Sequence, residues 1–381
     1  MNVFMTGVTG LLGSSLLVKL VRSSDVSSIT VMLRPKGAQT VDQRFKDLVE
    51  GAFAPQERPL AQSKLRFVAG DLLEPSLGLG VRDRWQILDR VDAIIHLASD
   101  DSLSSGIENS RQVNVDGTAK VLELAEACHR TGNLKQYIHL STAFVSGNHE
   151  GDYSEDDFDL GQGFSNVFEQ SKFEGEKLVR ARTLGVPIKI VRPSVIVGRS
   201  DSGYTLSFKA IYWPLKVLSK KIIPFLPLNP KAKLDLVPVD YVSDCLFSLL
   251  YHEVKGTGTY HVTCGKGNEI ALGKILKDAY KHGIVAKTPR MPIWLFSLVR
   301  NSFVNKFFND EVWDAFALAE SYQKYLEGNL TTFESRKSRA LFEDKGVILP
   351  KWKDYSRRIF QYCLISHWGK INPKPSYQFF R

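Results

Sequence analysis

Lys172 follows Phe168 by one helical turn in the stretch SNVFEQSKFEGE, residues 165–176. Residues at i and i+4 share a helix face, so the ammonium and the phenyl ring point the same way. Catalytic work at such a lysine calls for a proton donor beside it, and phenylalanine has no proton to give. The stretch therefore reads as an active-site helix with one chemical part absent.

A second group with chemistry in its spacing stands at the start of the chain. TGVTGLLG covers Thr6, Gly7, Thr9, Gly10, Leu11, Leu12 and Gly13, directly after an apolar run and opening a helical pattern. Glycines there permit a tight turn and bring backbone N–H groups to a pyrophosphate at a helix N-terminus. The spacing is GxxGxxG, not the commoner GxGxxG. The second strand ends in Leu33-Arg34-Pro35-Lys36, and Arg44 follows on a helix. An NAD site usually offers an acid at this strand end; an NADP site offers arginine to the 2′-phosphate. With no carboxylate at that point of the sequence, Arg34 and Arg44 predict NADPH. The plainer alternative is a pair of surface arginines.

These residues need a frame. Strands are expected at Val3–Thr6, Ser28–Leu33, Leu65–Ala69, Asp92–Leu97, Gln136–Leu140 and Ile188–Val191. Helical spacing covers Leu11–Arg22, Gln112–Arg130 and Val167–Thr183. Such alternation with near-continuous apolar strands predicts an α/β fold, a doubly wound parallel sheet covered on both faces. Residues 1–200 form the expected dinucleotide-binding domain, with its core extending through 236–265. Residues 201–381 form a smaller, mostly helical substrate-binding or cap region ending in a basic aromatic tail. Tyr212 to Pro230, rich in proline and aromatics, reads as irregular structure over a pocket. Leu236 to Tyr251 reads as a strand end and a helix, and Thr259 to Thr263 as a further strand.

The bulk numbers exclude several classes. A chain of 381 residues with 43% hydrophobic and 24% charged residues suits a globular protein. No apolar run is long enough for a transmembrane helix, and the N-terminus reads as a first strand with no signal peptide. Cys128, Cys245, Cys264 and Cys363 have neither metal nor disulfide spacing. That favours a reducing, cytoplasmic setting. No HExxH, CxxC pair or GxSxG occurs; His96 and His139 read as structural, and no metal is expected. The net charge is +9, and residues 350–381 carry seven basic residues against Asp354 alone. A solvated surface is the plain reading of that tail. The sharper ones are a dock for an acidic carrier protein or a phosphorylated substrate, or a peripheral membrane contact through interleaved Trp352, Phe360, Tyr362, Trp368, Tyr377, Phe379 and Phe380. Nothing resembles a nucleic-acid-binding motif.

With these residues in view, the sequence resembles the extended short-chain dehydrogenase/reductases. Within them it looks like the branch of carrier-protein thioester reductases and fatty acyl-CoA reductases. The residues that carry the resemblance are TGVTGLLG (6–13), Arg34, GDLLEP (70–75), IIHLAS (94–99), NVDGT (114–118), HLSTAFVSG (139–147), NVFEQSKFEGE (166–176), VRPSVIVG (191–198) and LVPVDYVSD (236–244). The last ~115 residues carry no matching motif. The resemblance implies that Asp71 and Leu72 line the adenine. Leu97, Ala98 and Ser99 would lie along the cofactor, and Asn114 in the helix behind the active site. Thr142 would hydrogen-bond the reacting oxygen. Lys172 would hold the nicotinamide ribose and lower the pKa of the proton donor. Pro193 and Ser194 would meet the nicotinamide end.

The departure is at Phe168, where this family has tyrosine. Loss of a general acid costs on the order of 10²–10⁴ in rate, while Thr142 can still stabilise an oxyanion and Lys172 can relay a proton through water. Three readings are open: a tyrosine enzyme inactivated by substitution, a native Phe168 working slowly or with another acid, and a non-catalytic NADP-binding scaffold. The expected activity is NADPH-dependent reduction of an acyl thioester, on coenzyme A or a carrier protein, to aldehyde or alcohol, impaired by Phe168. The alternative within the superfamily is reduction of a ketone or aldehyde on a long-chain or sterol-like substrate. The segments 212–230 and 292–308 are the expected walls of an acyl channel, or else plain core.

Overall fold

The structure is a computed structural model that describes residues 1–103, 105–220, 226–286, 290–291, 323–328 and 331–371. Seven parallel strands form its main sheet: β1 (Asn2–Thr6), β2 (Ser28–Leu33), β3 (Leu65–Ala69), β4 (Ala93–His96), β5 (Gln136–Leu140), β6 (Ile188–Pro193) and β7 (Thr257–Val262). Their order across the sheet is β7-β6-β5-β4-β1-β2-β3. The chain runs outward from β1 to β3, then crosses back to β4. Val3 pairs in register with Ile29 on one side and with Ala93 on the other. Ligands of doubly wound sheets bind at the carboxyl ends of the strands beside this reversal.

Successive side chains of a strand serve opposite faces. Val3 and Met5 enter one core layer and Phe4 the other. The first layer is covered by α1 (Leu11–Arg22) and, much later in the chain, by a helix at Val239–Leu249. Leu16, Leu17 and Leu20 meet Val242, Leu246 and Leu249 there. A hydroxyl contact, Ser15 to Ser243 at 3.0 Å, and the Lys19–Asp244 ion pair fix their relative position. Each fully buried leucine in this seam contributes about 1.5–3 kcal/mol. Leu16→Ala would cost about 2–5 kcal/mol.

Further along the chain, α2 (Val41–Ala52) carries Arg44, and α3 (Gly117–Arg130) packs on the opposite face through Val121, Leu122 and Leu124. A single helix is expected over Gln112–Arg130. Instead, a short helix Ile107–Arg111 passes into a π-helical turn, Gln112–Asp116, before α3 begins. The widened turn contains Asn114, whose carbonyl accepts a hydrogen bond from Thr118 Oγ1 at 2.8 Å. Single π turns of this kind are frequent at functional sites.

Helix α4 (Val167–Ala181) is N-capped by Asn166, whose Oδ1 accepts from the Glu169 N–H at 2.9 Å. The region expected to be irregular begins with a helix, α5 (Tyr212–Ser219). Pro214 does not prevent it, because proline is tolerated in a first turn whose N–H groups have no intrahelical acceptor. α6 is the Val239–Leu249 helix, α7 spans Leu272–Lys281 and α8 spans Trp352–Ile365. Leu215, Leu234, Ile275, Tyr355, Ile359 and Phe360 join into a second core beside the sheet. A short strand, Thr331–Phe333, pairs in parallel with Gly151–Tyr153 and ties the C-terminal part to the loop after β5. The segment 292–308 and the tail residues Lys374, Tyr377, Phe379, Phe380 and Arg381 lie outside the described residues.

Candidate active site

β1 ends where the glycine turn begins, and the turn fits a dinucleotide. Gly7 has φ of +74°, and a Cβ there would sit 2.5 Å from the Ala98 nitrogen at the end of β4. A Cβ on Gly13 would lie 2.2 Å from the Gly7 carbonyl oxygen. Both glycines are therefore demanded by close backbone approach. Gly10 caps α1 without a side-chain hydrogen bond, and the first turn carries no acid. Its amide groups and positive dipole end are available to a pyrophosphate. Leu97 is buried, and the Ala98 N–H donates to Thr6 Oγ1 at 3.3 Å, so the end of β4 forms the wall opposite the turn.

The two arginines meet beside this turn. Arg44 reaches from α2 to donate to the Arg34 carbonyl and, at 3.3 Å, to Thr9 Oγ1. Burial and the nearby Arg34 charge both lower the Arg44 pKa. Two cations held together in this way favour an anion between them. A carboxylate does stand close, which the strand-end sequence does not reveal. Asp71, from beyond β3, lies 3.5 Å from Arg34 Nη1. Asp71 also accepts from the Leu73 N–H at 3.1 Å, and Leu72 beside it is buried against Gly117.

Leu11, Leu12, Ser99, Thr142, Phe168, Lys172, Pro193 and Ser194 border one cavity of about 540 Å³. Phe168 and Lys172 share a helix face as their spacing requires. Lys172 is buried and donates from Nζ to the Leu140 carbonyl at 2.6 Å. Desolvation lowers its pKa to about 8, against the opposing pull of Glu176. Thr142, also buried, accepts from the Phe144 N–H at 3.3 Å and donates to the Pro193 carbonyl at 3.4 Å. Phe168 is half-buried and its ring lines the same wall.

Behind the cavity the polar groups are tightly held. Asn114 accepts from the Asp100 N–H at 2.8 Å and donates to the Asp100 carbonyl and to Ser171 Oγ, both at 2.9 Å. Gly175 makes this approach possible, since a Cβ there would lie 2.4 Å from the Asn114 carbonyl oxygen. Glu176, fully buried, accepts from Ser141 Oγ at 2.5 Å and from Arg192 Nη2 at 2.6 Å. Burial pushes its carboxyl up, but the guanidinium groups of Arg192 and Arg180 outweigh this and hold it below the usual range. His96 is lowered to about 3 by burial and by Lys172. Burial also pushes His139 well below the usual imidazole value, so both rings are uncharged at neutral pH.

Three site residues escape sequence reasoning. Asp235 is buried, holds Ser194 Oγ at 2.5 Å and accepts from the Cys264 and Gly265 N–H groups, and burial raises its pKa. Tyr325 borders the cavity from the C-terminal part, and its hydroxyl donates to Glu169 at 2.7 Å. Glu169, the residue after Phe168, is fully buried. The polar residue N-terminal to a catalytic-type lysine was a signal for Glu169; nothing in the sequence around Tyr325 points to it.

Residues 5–246 match the NAD-binding family model described as male sterility protein. The chain belongs to that family. Among curated proteins, this male sterility family member is 24% identical over 317 residues to the fatty acyl-CoA reductase wat of Drosophila melanogaster. It is 26% identical over 311 residues to human fatty acyl-CoA reductase 1. The matches take in 74% and 72% of the chain but only 61% and 60% of the relatives, so the chain spans about three fifths of their length. Among solved structures, the terminal R domain of the myxalamid PKS-NRPS pathway shares the fold with a TM-score of 0.78 at 23% identity, covering 98% of this chain and 92% of that one. The R domain of a Mycobacterium tuberculosis nonribosomal peptide synthetase follows, with a TM-score of 0.73, 23% identity, and coverage of 95% and 91%. The extended short-chain dehydrogenase/reductase resemblance and the α/β doubly wound fold drawn from the motifs both stand.

Proposed function

We propose that the chain is an NADPH-dependent reductase of an acyl thioester, slowed by Phe168. The observation that carries this is the cavity. It starts among Thr142, Lys172 and Ser194 and continues between apolar side chains such as Ile211, Leu215, Leu218, Leu234 and Ile275. A volume of about 540 Å³ suits a small to medium ligand, and its walls suit an acyl chain. The family membership and the fatty acyl-CoA reductase relatives support the same class of substrate.

A bound dihydronicotinamide supplies the hydride. Gly7, Gly10 and Gly13 would cradle its pyrophosphate, Arg34 and Arg44 would take the 2′-phosphate, and Asp71 and Leu72 would border the adenine. Leu97, Ala98 and Ser99 would run along the cofactor, and Pro193 and Ser194 would limit the nicotinamide end. Lys172 would hold the ribose. Thr142, whose hydroxyl donates at a long 3.4 Å to the Pro193 carbonyl, would turn it to the substrate's carbonyl oxygen and stabilise the charge that develops there. Once the C–S bond of the hemithioacetal breaks, an aldehyde and a thiol remain. A second hydride together with a proton would give the alcohol.

The test is NADPH oxidation over a panel of acyl-coenzyme A and acyl-carrier thioesters, with ketones and aldehydes alongside. Thioester turnover is expected, and Phe168→Tyr should raise it toward the roughly 10²–10⁴ that a placed acid contributes. Turnover of ketones alone would refute the substrate class. Equal use of NADH would refute the roles given to Arg34 and Arg44.

A further inference from the structure

Reduction needs a proton for the carbonyl oxygen, and Phe168 has none. The cavity wall nevertheless contains a phenol. Tyr325 lies on the short helix Gln323–Glu327 and borders the same cavity as Phe168, Thr142 and Lys172. Its ring meets Phe144 edge-on, with centroids 5.4 Å apart. Phe144 in turn donates its N–H to Thr142 Oγ1 at 3.3 Å. On the other side, the Tyr325 hydroxyl donates to Glu169 Oε1 at 2.7 Å and accepts from Asn166 Nδ2 at 3.4 Å. The phenol is thus held between Phe144, which is hydrogen-bonded to Thr142, and Glu169, the residue after Phe168.

Glu169 is fully buried and has a second set of partners. The Ser165 N–H donates to its Oε2 at 3.0 Å, and Lys324 Nζ stands 3.8 Å from the same oxygen. Lys324 also donates to the Gly147 carbonyl, and its side chain is 18% exposed. Ammonium, carboxylate and phenol therefore form a continuous line from solvent to the cavity. Burial lowers the Lys324 pKa, so its proton is more easily given up than that of a surface lysine.

We propose that Tyr325 is the proton donor of this site, recharged through Glu169 from Lys324. The inference rests on the reductase reading above. Addition of a nicotinamide hydride to the thioester carbonyl carbon moves the C=O π pair onto oxygen. That oxygen takes the Tyr325 proton, which gives a hemithioacetal and a phenolate. Glu169 accepts a proton from the Lys324 ammonium and passes it to the phenolate, and the neutral Lys324 amine regains a proton from water. The carboxylate ends as it began, and no new charge is left buried.

The experiment is a double-mutant cycle on the full chain: parent, Tyr325→Phe, Phe168→Tyr and the double variant, each with the responsive thioester. Tyr325→Phe should lower turnover of the parent by on the order of 10² or more. In the Phe168→Tyr background it should cost less than about threefold, because a second phenol makes Tyr325 redundant. A purely structural clamp would cost the same factor in both backgrounds, and that outcome overturns the proposal. A second readout needs no turnover. The dissociation constant of a non-reducible acyl amide analogue, measured on the cofactor-free chain, should rise roughly two- to tenfold in Tyr325→Phe through the lost hydrogen bond. Unchanged affinity counts against contact with the carbonyl. If the parent is inert and Phe168→Tyr active, the reductase reading stands and Tyr325 falls. If all four proteins are inert toward every thioester, the reductase reading itself fails and takes the donor with it.

Discussion

Replacing Arg44 by alanine separates what the guanidinium does for the protein from what it does for the cofactor. In the structure it makes two neutral-acceptor contacts, to the Arg34 carbonyl and to Thr9 Oγ1. Their loss loosens α2 against the glycine turn and weakens NADPH and NADH alike. The 2′-phosphate contact is made by NADPH alone. A hydrogen bond to a charged group is worth about 1.5–3 kcal/mol. This one lies at a partly exposed site beside Arg34, whose side chain is 59% exposed, so solvent screening lowers the figure to about 1–2 kcal/mol. At 1.4 kcal/mol per factor of ten, the NADPH-to-NADH preference should fall roughly five- to thirtyfold. Asp71 provides the converse variant. Its carboxylate stands 3.5 Å from Arg34 and would face the same phosphate, so Asp71→Asn should strengthen NADPH binding and leave NADH nearly unchanged. The assay is equilibrium titration of cofactor fluorescence at low and high salt, with the NADPH preference weakening as salt rises. A loss in Arg44→Ala that is equal for the two cofactors would refute the placement of the phosphate.

Other expectations follow from the same geometry. Gly13→Ala puts a methyl group 2.2 Å from the Gly7 carbonyl oxygen; the forced shift should cost about 1–3 kcal/mol in unfolding free energy and at least tenfold in NADPH affinity by titration. Lys172 has a folded pKa of about 8 against about 10.4 in the unfolded chain, so the unfolded state holds more protons between these values and stability rises with pH across that window. Lys172→Met should remove up to about 3 kcal/mol of that rise, read by denaturant titrations at pH 7.5 and pH 10. Arg192→Met leaves the buried Glu176 without its principal partner and should destabilise the fold by about 3–5 kcal/mol in the same assay. Leu276→Trp, on the apolar wall, should shift the preferred thioester toward shorter chains in a chain-length series.

The parallel sheet was legible because its strands are short apolar runs between turns: Leu65–Ala69 and Gln136–Leu140 have the bounds expected of them. Gly7 and Gly13 were legible because only glycine tolerates the approach of Ala98 and of the turn itself. Local chemistry of this kind survives in one dimension. Three features did not. The helix at Tyr212–Ser219 was obscured by Pro214, whose effect depends on its place in the first turn. The π turn at Gln112–Asp116 reflects the contacts of Asn114 with Asp100 and Ser171, which a helical period cannot register. Asp235 and the phenol of Tyr325 reach the site from distant parts of the chain, and the approach of Asp71 to Arg34 likewise exists only once the chain is folded.

The pairing of Thr331–Phe333 with Gly151–Tyr153 bears on the order in which the protein is made. β1 to β6, the glycine turn, Arg44 and Lys172 all precede residue 194, so the nucleotide side of the site can assemble while much of the chain is still being synthesised. β7, α7 and the helix bearing Tyr325 arrive later, and they close long loops, the slow kind of contact. A nascent chain would pass through a stage able to grip a dinucleotide while the apolar wall for the acyl chain is still exposed. Cofactor bound at that stage would stabilise the sheet by mass action before the hydrophobic cavity has its cover. Expression under cofactor limitation should then penalise soluble yield more than it penalises the specific activity of the molecules that complete the fold.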